Sequence, residues 1–349
     1  MRYEKVCIEA LGYELPDNVV TSLAMEERLL PVYEKLNRSF GRLQMMTGIR
    51  ERRLWNEGTQ PSQPSTRAAE KTIAKSGIDK KDIECLLHTS VSRDFLEPAT
   101  ATVVHDSLGL PPTAVIFDIS NACLGFANGM VTLANMIELG QVKAGIIVGT
   151  ENPRPLIDAT INELLQDENV TRAKLNLGLA SLTMGSGTAS AVLTHSSISR
   201  TGHRLVGGVV RTASHHNDLC RVQGDACLSD PDNCNSMYAN THGILTNGVQ
   251  LICETWPALM EELGWRDLDV DRIFGHQVST VHNRLVFDAL GLDKSKGFYT
   301  VEYLGNVGSV SLPITLAIGV EEGRLKAGDK AVMIGAGSGL CSILLGLEW

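Results

Sequence analysis

Cys123 is the first residue in the chain that suggests chemistry. It lies in DISNACLGFANGM (118–130), after the apolar run AVIF and directly before a stretch of helical character. A thiol at a helix start becomes a nucleophile when the helix N-terminus and a nearby imidazole lower its pKa. Without such partners a cysteine is a small buried hydrophobe. Two other residues are candidates to work with it: His276, which opens HQVS, and Asn306 in GNVGSVSLP, thirty residues further on. Alone, the histidine reads as a satisfied strand-end residue and the asparagine as a turn residue beside Gly305.

The elements that would carry these side chains are short β-rich runs alternating with helical stretches. IECLLHTSV, AVIFDIS, AGIIVGT and ASAVLT come first, then RIFGHQV and KAVMIGAGSG. Such alternation predicts α/β layering. The chain also resembles itself. NMIELGQVKAGIIVG (135–149) and IGVEEGRLKAGDKAVMIG (318–335) share a helix end, a glycine, a basic turn and a buried strand, with Gly140 matching Gly323 at an offset of 183 residues. That offset sets Cys123 on Asn306. A second pairing, DIECLLHTSVS with DVDRIFGHQVS, sets Thr89 opposite His276 at an offset of 187. The reading is two copies of one βαβ-rich unit, residues 1–195 and 196–349, stacking their sheets around shared helices into five layers. Strand ends and helix N-termini from both halves would then meet in the middle, bringing Cys123, His276 and Asn306 into one pocket.

With 349 residues, 43% hydrophobic and 20% charged, the chain has ample material for a globular core and no apolar run of bilayer length. The net charge of −9 argues against non-specific nucleic-acid binding. Charges stand where a signal peptide would have its apolar segment, so a cytoplasmic location is expected, with the eight scattered cysteines reduced.

Taken in order, TGIRERR (47–53), NACLGF (121–126), HQVS (276–279), GNVGSVSLP (305–313) and GAGSG (335–339) resemble the thiolase superfamily in its condensing-enzyme branch. That branch includes ketoacyl synthase III, 3-hydroxy-3-methylglutaryl-CoA synthase and chalcone synthase. RRLW, TSVSRDFLEPATA and LCR are most similar to the bacterial enzymes that join two fatty acyl-CoA molecules head to head in long-chain olefin biosynthesis.

The resemblance implies a five-layered αβαβα thiolase-like fold and a homodimer. It also implies that Cys123 takes an acyl group from CoA while His276 and Asn306 donate hydrogen bonds to a thioester oxygen. A second oxyanion site would use the backbone N–H of Cys123 and one near Ser338, where glycines let the main chain approach. Condensing two ordinary acyl-CoAs needs a base for an unactivated α-proton. Glu97, in FLEPAT, stands on the loop that in this family crosses the dimer two-fold, at a position commonly apolar in synthase III relatives. Arg50, Arg53 and Trp55 are candidates to hold CoA phosphates and adenine, against the alternative of a charged surface turn. Relatives usually carry a Trp and an Arg shortly before this motif; here those places hold Arg42 and Met46. No metal or redox cofactor is implied, since the substrates carry the coenzyme A, and downstream pathway enzymes would consume the product.

Two readings compete with the non-decarboxylative condensation. One is a decarboxylating 3-oxoacyl-[acyl-carrier-protein] synthase III-type starter condensation; the other is a non-catalytic acyl-binding partner of the same fold. Cys220, Cys227 and Cys234 recur every seven residues after His215 and His216, but without the close cysteine pairs of structural zinc. The polar segment 223–235 reads as a surface excursion. GAGSG lacks the long dinucleotide-binding unit that would make it a phosphate cradle.

Overall fold

A computed structural model describes residues 1–222 and 237–349. Cys227, Cys234 and the whole of the polar segment 223–235 lie outside the described residues. The first half supplies β1 (Val6–Glu14), β2 (Cys85–Thr89), β3 (Val115–Ile119), β4 (Ala144–Glu151) and β5 (Gly187–His195). The second supplies β6 (Arg204–Thr212), β7 (Arg272–Gly275), β8 (Gly297–Phe298), β9 (Lys330–Gly337) and β10 (Cys341–Glu348).

Across the sheets the orders are β3-β2-β4-β5-β1 and β8-β7-β9-β10-β6. In each half the first three strands run parallel and the last two antiparallel. The halves therefore correspond strand for strand, and they meet edge to edge where Cys7 pairs with Arg204 and, before β1, Arg2 bridges to Gly207.

Six helices complete the layers: α1 (Ser62–Ser76), α2 (Thr100–Leu108), α3 (Gly125–Glu138), α4 (Thr241–Leu263), α5 (Thr280–Leu290) and α6 (Ser311–Glu321). In α3, Phe126, Met130, Leu133 and Ile137 recur at helical spacing and are buried. In α6 every residue from Ser311 to Gly319 is buried, as befits a helix with protein on all sides. These two helices share one core with Leu87 and Ile147 of the first sheet and with Phe274, Met333 and Leu345 of the second, so they form the middle layer. Helices α1 and α2 cover the outer face of the first sheet, while α4 and α5 cover that of the second. The result is the expected αβαβα arrangement.

Strand β4 is buried at all eight positions, which explains its continuous apolar run. Strand β3 instead ends the first sheet, and its Val115 and Phe117 are exposed. Both glycines of the repeat close central helices, Gly140 after α3 and Gly323 after α6. Their φ values of +71° and +68° lie in the left-handed region, which only glycine adopts freely.

Candidate active site

Cys123 lies in the turn between β3 and α3. The residue before it, Ala122, has φ of +43°, a left-handed conformation that costs a non-glycine residue about 1 kcal/mol or more and recurs at functional turns. Gly337, at the end of β9, lies against this turn. A Cβ there would fall 3.0 Å from Leu124 Cγ and 3.5 Å from the Cys123 nitrogen, so a bare glycine lets the GAGSG backbone lie alongside Cys123. Burial pushes the Cys123 thiol up to about 12, with Cys220 and Glu151 adding to the effect and the residue's own backbone N–H opposing it. This corrects the expectation of a lowered pKa: desolvation outweighs the helix start, and the resting thiol is protonated at neutral pH. Ser338 is half-buried and hydrogen-bonded to the thiol of Cys220.

His276 directly follows β7, and its backbone N–H donates to Ile334 O on β9 at 2.8 Å. The side chain is buried, and Nδ1 has no hydrogen-bond partner. Burial, helped by His282, pushes the imidazole down to about 3, so it is neutral under working conditions. His282, on α5, is likewise buried and pushed down to about 4 by desolvation. Both rings line a cavity of about 20 Å³ with Ile252, Phe287 and Tyr299. Gln277 then ties the end of β7 to the approach of Asn306: its Oε1 accepts from Thr300 N and Val301 N, both at 3.1 Å.

Asn306 is held from both sides. Its N–H donates to Thr183 O at 3.0 Å, and its carbonyl accepts from Gly185 N at 2.9 Å. Gly305, with φ of +68°, leads into it, and a Cβ there would lie 2.6 Å from Thr183 O. The Asn306 Oδ1 accepts from Gly308 N at 3.0 Å. A backbone N–H can only donate, so the amide orientation is fixed and Nδ2 is left to donate elsewhere.

Glu151, at the end of β4, was not singled out by the sequence. Its side chain is only 3% exposed by residue, and its carboxylate accepts from Val91 N, Ser92 N, Ser92 Oγ, Ser309 N and Ser309 Oγ at 2.5–3.3 Å. Burial raises its pKa, and the bonds from Ser309, Val91 and Ser92 oppose the rise. The start of α3 packs here too: a Cβ on Gly125 would lie 3.6 Å from Ser309 Cβ. The turn of Cys123, the strand before His276 and the loop of Asn306 are thus anchored around the end of β9 and Glu151.

The remaining candidates are placed less centrally. Glu97 is exposed on the loop after β2, beside exposed Phe95 and Leu96, and among the described residues no hydrogen bond ties it to the cysteine turn. Arg50 is exposed, and Arg53 donates to Pro16 O at 2.8 Å. Trp55 is 6% exposed and its indole is enclosed, so the stacking face expected for adenine is not presented. The basic motif also holds Arg52, fully buried, donating to Ser22 Oγ at 3.0 Å and pushed down to about 10 by desolvation.

Comparison with known proteins agrees with this architecture. Residues 117–212 match the 3-oxoacyl-[acyl-carrier-protein] synthase III family, and residues 260–349 match its C-terminal part. An acyl-CoA:acyl-CoA alkyltransferase of Shewanella oneidensis is 39% identical, with both chains covered in full. One from Xanthomonas campestris is 35% identical over the same extent. A β-ketoacyl-[acyl-carrier-protein] synthase III of Natranaerobius thermophilus is 26% identical over 95% of this chain and 96% of that one. Among solved structures, a Cys-to-Ser variant of Xanthomonas campestris OleA with bound lauric acid and lauroyl-CoA aligns with a TM-score of 0.93 at 34% identity, covering 99% of this chain and all of the other.

Fold and site together define a thiolase-superfamily condensing enzyme of the synthase III type, an acyltransferase. Within that class the chain belongs to the family of acyl-CoA:acyl-CoA alkyltransferases.

Proposed function

We propose that this protein joins two fatty acyl-CoA molecules by non-decarboxylative Claisen condensation, giving a 2-alkyl-3-oxoacyl thioester or its free acid. The observation that carries this reading is the full-length identity of 39% with an acyl-CoA:acyl-CoA alkyltransferase, against 26% with a synthase III. The bound lauroyl-CoA of the Xanthomonas campestris structure supports long acyl-CoA as the substrate class.

In the first half-reaction the Cys123 sulfur attacks the thioester carbonyl and CoA departs as the free thiol. The cysteine proton ends on the departing sulfur, with the neutral imidazole of His276 at hand to pass it. Asn306 Nδ2 and a His276 N–H steady the oxyanion, each donor supplying about 3–4 kcal/mol by analogy with other oxyanion sites. The backbone N–H groups of Cys123 and Ser338 form the second such site.

In the second half-reaction Glu97 removes an α-proton from another acyl-CoA. The resulting carbanion attacks the acyl carbonyl on Cys123, and the cysteine leaves and regains a proton. We assign Glu97 to the site of a second copy of the chain, because it is exposed on the loop that in the enzymes this chain resembles crosses the dimer two-fold. The exposed side chains of Phe95 and Leu96 on the Glu97 loop, and of Val115 and Phe117 on the edge strand β3, support that homodimer. Arg50 is the exposed cation available to CoA phosphates, whereas Arg53 is partly engaged with Pro16. No cofactor beyond the CoA of the substrates enters the scheme. A cytoplasmic location is proposed alongside it; no helix among the described residues is long and apolar enough to cross a membrane.

The test is Glu97→Gln with long-chain acyl-CoA as sole substrate. The variant should still acylate Cys123 and release one CoA, yet form no condensed product. Normal condensation by Glu97→Gln rejects the base assignment, and strict dependence on a malonyl donor favours the decarboxylating alternative.

A further inference from the structure

We propose that Glu151 is a positioning residue for both half-reactions, a buried carboxyl side chain that locks the Asn306 loop to the root of the Glu97 loop. The inference rests on the roles proposed above for Asn306 and Glu97. Its basis is geometric. One carboxylate oxygen, Oε1, accepts from Val91 N at 3.0 Å, Ser309 N at 3.3 Å and Ser309 Oγ at 2.5 Å. The other, Oε2, accepts from Ser92 N at 3.2 Å and Ser92 Oγ at 3.0 Å. Val91 and Ser92 follow β2 and lead, within six residues, to Glu97; Ser309 lies three residues beyond Asn306. The two loops come from opposite halves of the duplicated fold, and Glu151 bridges them.

Only a carboxylate suits this place. Val91 N, Ser92 N, Ser92 Oγ and Ser309 N donate to its two oxygens, with Ser309 Oγ shared between Oε1 and Thr89 O, and a carboxyl group is the side chain that can accept on both oxygens. Glutamine would turn an NH₂ group toward one set of donors, opposing either the Ser92 pair or the Val91 and Ser309 trio. The space is equally particular: a Cβ on Gly308 would lie 3.0 Å from Glu151 Cγ, so the Asn306 loop lies directly on the glutamate stem. Ser92 Oγ also accepts from Asn152 N at 2.9 Å, which extends the clamp along the chain. A burial cost this large has a purpose if it fixes Asn306 in its own site and the root of the Glu97 loop that serves the second copy's site, because a displacement of about 1 Å between reacting groups costs about 100-fold in rate.

The test separates the two arms of the clamp with Ser92→Ala, Ser309→Ala and Glu151→Gln, each confirmed folded by its thermal transition. Acylation is read by intact mass and CoA release, condensation by product formation. Ser92→Ala, which loosens the Glu97 side, should slow condensation about 10- to 100-fold with KM and acylation within twofold. Ser309→Ala, on the Asn306 side, should slow acylation as well. Glu151→Gln should lower kcat for both steps with little change in KM.

A purely structural role predicts lower thermal stability with kcat unchanged in the folded fraction, and that result overturns the proposal. So does an equal effect of Ser92→Ala on both steps. Should Glu151→Gln not fold, the two serine variants alone decide. If Glu97→Gln condenses normally while Ser309→Ala still slows acylation, the base assignment fails and the clamp on Asn306 stands.

Discussion

Asn306 Oδ1 accepts the backbone N–H of Gly308 at 3.0 Å, and this single bond decides which end of the amide is free. With the oxygen committed to its own loop, Nδ2 is the group left to meet a substrate carbonyl. Asn306→Asp keeps the acceptor and removes the free donor, so turnover should fall about 100- to 1,000-fold, the usual loss for one oxyanion donor. The thermal transition should move little. Steady-state condensation rates decide the matter, and a loss under tenfold would contradict a donor role.

Gly305 sets where that asparagine stands. Its φ of +68° with ψ of −159° is a conformation essentially confined to glycine, and a Cβ would approach Thr183 O to 2.6 Å. Gly305→Ala is therefore expected to cost about 1–3 kcal/mol of stability. It should also lower kcat by displacing Asn306. Chemical denaturation paired with activity measures both; an unchanged midpoint would mean that the loop relaxes at no cost.

The architecture was legible in the sequence because the duplication preserves glycines whose backbone geometry is irreplaceable, Gly140 and Gly323, and because fully buried strands such as β4 read as unbroken apolar runs. The strand correspondence also made the pairing of Thr89 with His276 legible: β2 ends at one and β7 stops just before the other. What failed was the environment of single side chains. Trp55 stands among charged residues and reads as a surface ring, yet the fold encloses it, along with the guanidinium of Arg52. Glu151 reads as a solvated strand end, because its partners Ser92 and Ser309 lie 59 and 158 residues away in sequence. Its one local signal was a carboxylate ending a strand that is otherwise apolar but for Thr150.

The thiol of Cys123, pushed up to about 12, predicts a particular reactivity profile. Below that value the thiolate fraction rises tenfold per pH unit, so alkylation of Cys123 by iodoacetamide should be about 100-fold faster at pH 9 than at pH 7. Mass spectrometry of the Cys123 peptide separates it from the other cysteines. A rate independent of pH over that range would reveal a stable thiolate and contradict the neutral resting pair with His276.

His276 and His282 make the fold sensitive to acid. Their pKa values fall from 6.5 to about 3 and about 4, so the folded state favours the neutral rings. Their stabilising contribution is therefore complete above pH 6.5 and is lost as the pH drops toward 4, at roughly 1.4 kcal/mol per pH unit for each ring. His282→Asn should flatten the fall in thermal stability between pH 6.5 and 4.5 by about one histidine's share. An unchanged slope would mean that the ring is already protonated in the folded protein.

The most direct test of the account is to mix the purified protein with a long-chain acyl-CoA and nothing else, then follow intact mass, free CoA and products. The account predicts an acyl adduct on Cys123, absent in Cys123→Ala, followed by a condensed 2-alkyl-3-oxoacyl product without any malonyl donor. No adduct at Cys123, or no carbon–carbon bond formed until a malonyl thioester is added, would contradict it.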